Sequence, residues 1–240
     1  MDFASYTEIG GRSLNEDCAK IGSFPGLDCY AVCDGLGGHG RGEVASAMAV
    51  DGLMYYFGLH PTPDAAHLAA AFEQVQASLL GEQEAIGEPD SLKTTAAVLL
   101  TDDEKAIWAH VGDTRIYLFR RDGRIVRTLD HSVPQMLVGK GELRERDIRR
   151  HSDRNCLLRV MGTEWEEERY EISEPVPLAE CRAFLLCTDG FWEHITGPRM
   201  RTLLRRSRTS DEWLARMFEE VRRHADPETS DNRTAIAVMF

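Results

Sequence analysis

Four aspartates stand where apolar runs begin or end. Tyr30-Ala-Val-Cys-Asp34-Gly35 and Leu185-Leu-Cys-Thr-Asp189-Gly190 share one grammar, a short apolar stretch closed by Asp-Gly. His110-Val-Gly-Asp113 is a third case, and Asp231-Asn232 precedes the last apolar run, Thr234-Ala-Ile-Ala-Val-Met-Phe240. Near the start, Arg12-Ser-Leu-Asn-Glu-Asp17 adds an arginine and two carboxylates, Glu16 and Asp17. A lone Asp-Gly is commonly just a turn. Aspartates at the ends of several strands are another matter, because Mg²⁺ and Mn²⁺ take carboxylates, carbonyls and waters as ligands. Burying such a set without a cation is costly.

Those acids need strands that end in a common place. Tyr30 to Cys33 reads as a buried strand, stopped by Asp-Gly. In the turn Asp34-Gly-Leu-Gly-Gly-His39, the glycines at 35, 37 and 38 are expected to allow φ > 0 and a close backbone approach. A helix is expected over 43–57, with Val44, Ala47, Val50 and Met54 at helical spacing. A second starts at Thr62-Pro63-Asp64, with Thr62 as its cap, and carries the stripe Leu68, Phe72, Val75 and Leu79. Strands are expected over 3–7, 94–100, 106–110, 115–120, 124–128, 169–172 and 183–187. Asp122-Gly123 reads as a hairpin turn, and the spacing suggests an antiparallel meander rather than βαβ units. Two late helices, 198–206 and 210–224, complete the pattern, the second with Trp213, Leu214, Met217 and Val221 on one face.

The bulk numbers narrow the class. A chain of 240 residues with 42% hydrophobic and 28% charged residues suits one ordinary domain with a sizeable core. The net charge of -12 disfavours a general nucleic-acid binder. The six cysteines form no CxxC pair and read as free thiols of a reducing compartment. Neither a basic-then-apolar leader nor a bilayer-length apolar stretch is evident, so a cytoplasmic monomer away from membranes is expected.

Arg12-Ser-Leu-Asn-Glu-Asp17, Asp34-Gly-Leu-Gly-Gly-His39, Lys93-Thr-Thr-Ala96, His110-Val-Gly-Asp-Thr-Arg115, Asp130-His-Ser132, Asn155 to Gly162, Asp189-Gly190 and Asp231-Asn232 follow one another along nearly the whole chain. In this order they resemble the metal-dependent Ser/Thr protein phosphatases of the PP2C (PPM) family, in its compact bacterial form. The resemblance implies an α+β fold, two stacked antiparallel sheets flanked by helix pairs (an α-β-β-α sandwich). It also implies a single domain over 1–240, with a small flap at about 134–160 beside the site. The implied activity is hydrolysis of phosphoserine and phosphothreonine through a water that bridges two Mn²⁺ or Mg²⁺ ions, with a third ion in bacterial members.

Carried over residue by residue, Asp34 bridges the two ions and the Gly35 carbonyl binds one of them. Asp189 and Asp231 complete the other. Glu16 and Asp17 match positions that touch metal-bound water, and Asn232 supports the ligands around it. Asp113 matches a ligand of the third ion, although within Gly-Asp-Thr-Arg it could instead pair with Arg115. Arg12 would clamp the phosphate with its planar fork. Animal-type members carry a histidine where this chain has Leu36, which donates no proton; His39 reads as structural rather than as its substitute. Lys93 replaces a more usual glycine.

The arginines of 144–159, and Arg199, Arg201, Arg205, Arg206 and Arg208, are either solvated helix faces or surfaces for an acidic or phosphorylated protein. The implied partners are a phosphoprotein substrate and an opposing Ser/Thr kinase, with control of a bacterial secretion system, type VI among them, as the pathway. A catalytically silent phosphoprotein adaptor and a small-phosphoester hydrolase are the alternatives.

Overall fold

The computed structural model describes residues 1–165 and 169–240, with all their side chains except that of His39. Among these residues eleven strands form two antiparallel sheets. One runs β2 (Asp17–Phe24), β3 (Leu27–Asp34), β4 (Ala96–Thr101), β5 (Lys105–Val111) and β8 (Glu171–Ile172), with β9 (Val176–Pro177) also paired to β5. The other runs β1 (Asp2–Glu8), β11 (Arg233–Met239), β10 (Cys181–Cys187), β6 (Arg115–Arg120) and β7 (Ile125–Arg127). Helices α1 (Gly42–Leu59) and α2 (Ala65–Ile86) cover the first sheet. Three more, α4 (Asp189–Trp192), α5 (Gly197–Leu204) and α6 (Ser210–His224), cover the second. A short α3 (Val133–Gly139) opens the segment between β7 and β8.

Strand side chains alternate, and here both faces are buried. Cys29, Ala31 and Cys33 of β3 pack with Leu53, Phe57 and Phe72 of the helix pair. Tyr30 and Val32, pointing the other way, meet Phe184, Leu186, Ile236 and Val238 between the sheets. The outer face of the second sheet, with Leu185 and Ala235, packs on Met200, Trp213 and Met217. Three apolar layers therefore exist, and the central strands read as continuous apolar runs because neither side meets water. The expected α-β-β-α sandwich is the one observed.

Some local expectations give way. β2 was not anticipated from the sequence: Lys20 and Ser23 are exposed and the rest only half-buried, so its apolar signal is weak. The expected meander divides. β4 and β5 pair in one sheet, whereas β6 and β7 pair in the other, with the crossing at residues 112–114. Alternation alone does not say which sheet a strand joins. The cap of α2 is Asp64 rather than Thr62, since the Asp64 carboxylate accepts the His67 N–H at 2.8 Å. The buried face of α1 is Ala45, Ala49, Leu53 and Tyr56, while Val44 is exposed. The six cysteines are free, and Cys29, Cys33, Cys181 and Cys187 are buried. No helix among the described residues is long and apolar enough to cross a membrane.

Candidate active site

β3 ends where β4 pins its backbone. The Asp34 N–H donates to Thr95 Oγ1 at 2.9 Å, and its carbonyl accepts from the Thr95 N–H at 2.8 Å and Thr94 Oγ1 at 2.9 Å. With the main chain satisfied, the Asp34 carboxylate is left for other work. The next N–H, of Gly35, donates to the Glu16 carbonyl at 3.0 Å. A Cβ at Gly35 would lie 2.0 Å from the Gly42 carbonyl oxygen, and one at Gly37 2.1 Å from Glu16 Oε2. Gly35 is therefore required by closeness to backbone, whereas at Gly37 the Glu16 side chain could shift, and neither has the positive φ expected of it. The left-handed residues of this turn are Gly40 (φ 81°) and Arg41 (φ 59°).

The other acids arrive from separate segments. Asp17 opens β2 directly opposite Asp34 in the β2–β3 register. Asp113 sits in the turn where the chain crosses between sheets, its carbonyl accepting from Trp192 Nε1 at 2.9 Å. Asp189 begins α4, near enough to Asp34 for its charge to act on that carboxyl. Asp231, just before β11, accepts from Arg12 Nη2 at 2.7 Å. Arg12, Glu16, Asp34, Asp113, Asp189 and Asp231 all line one cleft of about 1420 Å³, together with the backbone at Gly35. Asn232 ties the pieces together. Its Oδ1 accepts the Glu16 N–H at 2.8 Å, and its Nδ2 donates to the carbonyls of Ile9 (2.8 Å) and Leu14 (3.0 Å). Arg115, the alternative partner for Asp113, is taken elsewhere. It grips Asp130 through Nε (2.7 Å) and Nη2 (2.5 Å) and lies 3.4 Å over the Trp192 ring.

Burial and mutual repulsion make so many neighbouring carboxylates hold their protons. Burial, then the charges of Asp17 and Asp189, push Asp34 well above the usual carboxylate range. Burial, then Asp189, does the same to Asp113. Asp17 is pushed up to about 8, by burial first, and Asp189 to about 6, by burial and then Asp231. Glu16 moves up for the first of these reasons. One oxygen of Asp17 accepts from the Thr188 hydroxyl at 3.0 Å, while its other oxygen, Oδ1, is buried with no hydrogen-bond partner. An orphaned buried carboxylate oxygen beside three more carboxylates suits hard divalent cations, which take oxygen donors.

Sequence reasoning missed Thr188, whose hydroxyl donates to Asp17, and Thr234 beside it, whose hydroxyl bonds that of Thr7. Thr188 also accepts the Thr234 N–H at 3.0 Å, joining β10 to β11 behind the acid. Its place immediately before Asp189 was an available signal. Glu193, one turn beyond Asp189, was missed too. Burial, then Asp189, pushes it up to about 7, and Arg154 pairs with it at 2.9 Å. A second group, His110, His131 and Glu171, has the composition of a cation site. Two of its ring nitrogens are committed, His110 Nε2 facing the Leu129 carbonyl at 2.8 Å and His131 Nδ1 accepting the Gly112 N–H at 3.2 Å, while His131 Nε2 lies 3.4 Å from Glu171 with no hydrogen bond among the described residues. The two rings stack with centroids 4.7 Å apart, so their in-plane lone pairs do not converge on one point.

Comparison with known proteins agrees with this arrangement. The family model described as protein phosphatase 2C matches residues 6–234. The chain is 30% identical over 209 residues to the serine/threonine phosphatase Stp of Listeria innocua, covering 84% of this chain and 81% of that protein. The crystal structure of serine/threonine phosphatase Stp1 from Staphylococcus aureus superposes with a TM-score of 0.87 at 25% identity, covering 100% of this chain and 95% of that one. The catalytic domain of the phosphatase PstP, solved in complex with two manganese ions, superposes at 0.78 with 27% identity, covering 99% and 96%. The order of strands, the acids at their ends and the match along nearly the full length lead to one assignment: this chain belongs to the protein phosphatase 2C family and is a bacterial-type serine/threonine phosphatase.

Proposed function

We propose that the chain removes phosphate from phosphoserine and phosphothreonine of proteins, using Mn²⁺ or Mg²⁺ held by Asp34, the Gly35 carbonyl, Asp189 and Asp231. Asp34 would serve two ions, with Glu16 and Asp17 beside them; Asp113 would hold a third, and Arg12 would offer its fork to the phosphate. When bound, the ions supply Lewis acidity toward phosphate oxygens and a water acidic enough to attack at neutral pH. Thr188 and Asn232 hold the acids and the loop of Arg12 in place while substrate enters the cleft. The chain acts as one catalytic domain, 1–240, whose segment 134–160 is a flap; Leu157, Leu158 and Val160 line the cleft from it.

The observation that carries this reading is the meeting of buried Asp113 with the half-buried Asp17, Asp34 and Asp189, with Asp17 Oδ1 itself buried and left unbonded. The test is phosphate release from a phosphothreonine peptide, with Mn²⁺ or EDTA, for the native chain and Asp189→Asn. Turnover that needs the ion and collapses in the variant is expected. Turnover unaffected by EDTA would overturn the metal reading, and binding without turnover would favour the adaptor. The pathway, a cytosolic monomer opposing a Ser/Thr kinase in control of a secretion system, type VI among them, rests on likeness of size to such phosphatases. Deleting the gene should raise phosphothreonine on secretion components.

A further inference from the structure

Lys93 enters the cleft opposite Leu36. The Leu36 N–H donates to the Lys93 carbonyl at 2.9 Å, and the neighbouring pair, Gly35 and Thr94, forms a β-bridge. The β3–β4 ladder thus continues past Asp34, and Lys93 faces the residue two positions beyond that carboxylate. Its side chain lines the cleft with Leu36 and Arg159. Its carbon stem is mostly buried, with 12% of the side chain exposed, whereas its acid, Asp90, is 92% exposed and stands 3.4 Å from Nζ. Among the described residues Asp90 is the one ion-pair partner of this ammonium. A single contact to a solvent-washed carboxylate holds it weakly and leaves other N–H donors for a ligand. Arg12, by contrast, is held by Asp231 at 2.7 Å on the acid side of the same cleft.

We propose that Lys93 is a specificity-determining residue, which binds an anionic group next to the phosphorylated residue of the substrate, either an acidic side chain or a second phosphate. The inference rests on the phosphatase reading of the cleft. Adjacent residues of an extended peptide lie about 3.3–3.6 Å apart, within reach of a lysine stem two positions from the bridging acid. Lys93 is part of the cleft wall, and its buried stem leaves the charged head as the part open to a ligand, as in amphipathic side chains.

The experiment compares phosphothreonine peptides that differ only at the neighbouring positions, which carry Ala, Glu or a second phosphothreonine. kcat and KM are measured with Mn²⁺ for the native chain, Lys93→Met, Lys93→Arg and Asp90→Asn. The native enzyme should favour the Glu peptide over the Ala peptide about fivefold in kcat/KM, through KM. That ratio should fall to about one in Lys93→Met, persist in Lys93→Arg and rise in Asp90→Asn, whose loss frees the ammonium. A larger ratio for the second phosphothreonine than for Glu would assign the anion to phosphate; the reverse order would assign it to carboxylate. Equal ratios in the native chain and Lys93→Met would overturn the proposal, as would a ratio unmoved by Asp90→Asn should Lys93→Met fail to fold. Metal-dependent turnover of the Ala peptide by the native enzyme tests the underlying phosphatase reading separately.

Discussion

Asp17 has a donor for one oxygen and none for the other. Removing the Thr188 hydroxyl by Thr188→Val should therefore disorient the carboxylate behind the proposed ions. Mn²⁺ affinity, read by calorimetry, should weaken about 10- to 100-fold. The same acids give the metal-free chain a pH dependence of definite sign. Asp17, raised from 3.8 to about 8, and Asp189, raised to about 6, hold protons in the folded chain that the unfolded chain has lost. Folding is thus progressively disfavoured as pH rises from about 4 toward 8. In EDTA the Tm should fall between pH 5 and pH 8, and Asp17→Asn should flatten that fall; a Tm that rises through this window would count against the assignment. Asp34, Asp113 and Asp189 were legible because each ends an apolar run, and Asp231 because it precedes one. The hydroxyls behind them were not, because Thr188 and Thr234 lie inside strand-like stretches where threonine is common and only the third dimension aims it.

At the scale of elements, α4 is only four residues long and is held from two sides. Arg115 of β6 lies over Trp192 and grips the fully buried Asp130. Arg115→Met should cost about 3 kcal/mol in urea unfolding, because it leaves the buried Asp130 carboxylate to the longer contact with Arg127 at 3.5 Å. On the other side Arg149 donates to the Glu193 carbonyl at 3.3 Å and Arg154 pairs with the Glu193 carboxylate. This strap joins the proposed flap to the helix that begins with Asp189. Arg154 is 41% exposed, so Arg154→Ala should cost only about 1 kcal/mol after solvent screening. Its clearer signature should be faster proteolysis within 133–162; cleavage at the native rate would show that the strap does not hold the segment. The arginines of this region were read as a solvated face or a docking surface, and pairing within the chain accounts for these two. Strands such as β3, β10 and β11 were legible from their doubly buried runs. The half-buried β2 was not, and the partition of β4 to β7 between two sheets depends on long-range pairing that no local pattern encodes.

Across the whole molecule, the acids belong to both halves of the sandwich. Asp17 and Asp34 come from one sheet, Asp189 and Asp231 flank strands of the other, and Asp113 lies where the chain passes between them. The two sheets otherwise meet through an apolar layer of Tyr30, Val32, Phe184, Leu186, Ile236 and Val238. Amide exchange at the site end of β3 and β10 should slow when Mn²⁺ is added, while the far end changes little; uniform slowing would indicate global stabilisation instead. Filled, the proposed centre is a clasp drawing the halves together, and stripped, it is a wedge of like charges between them. A cell short of manganese would then hold less of this enzyme rather than an idle stock, because a site end loosened by like charges would be the more open to proteases.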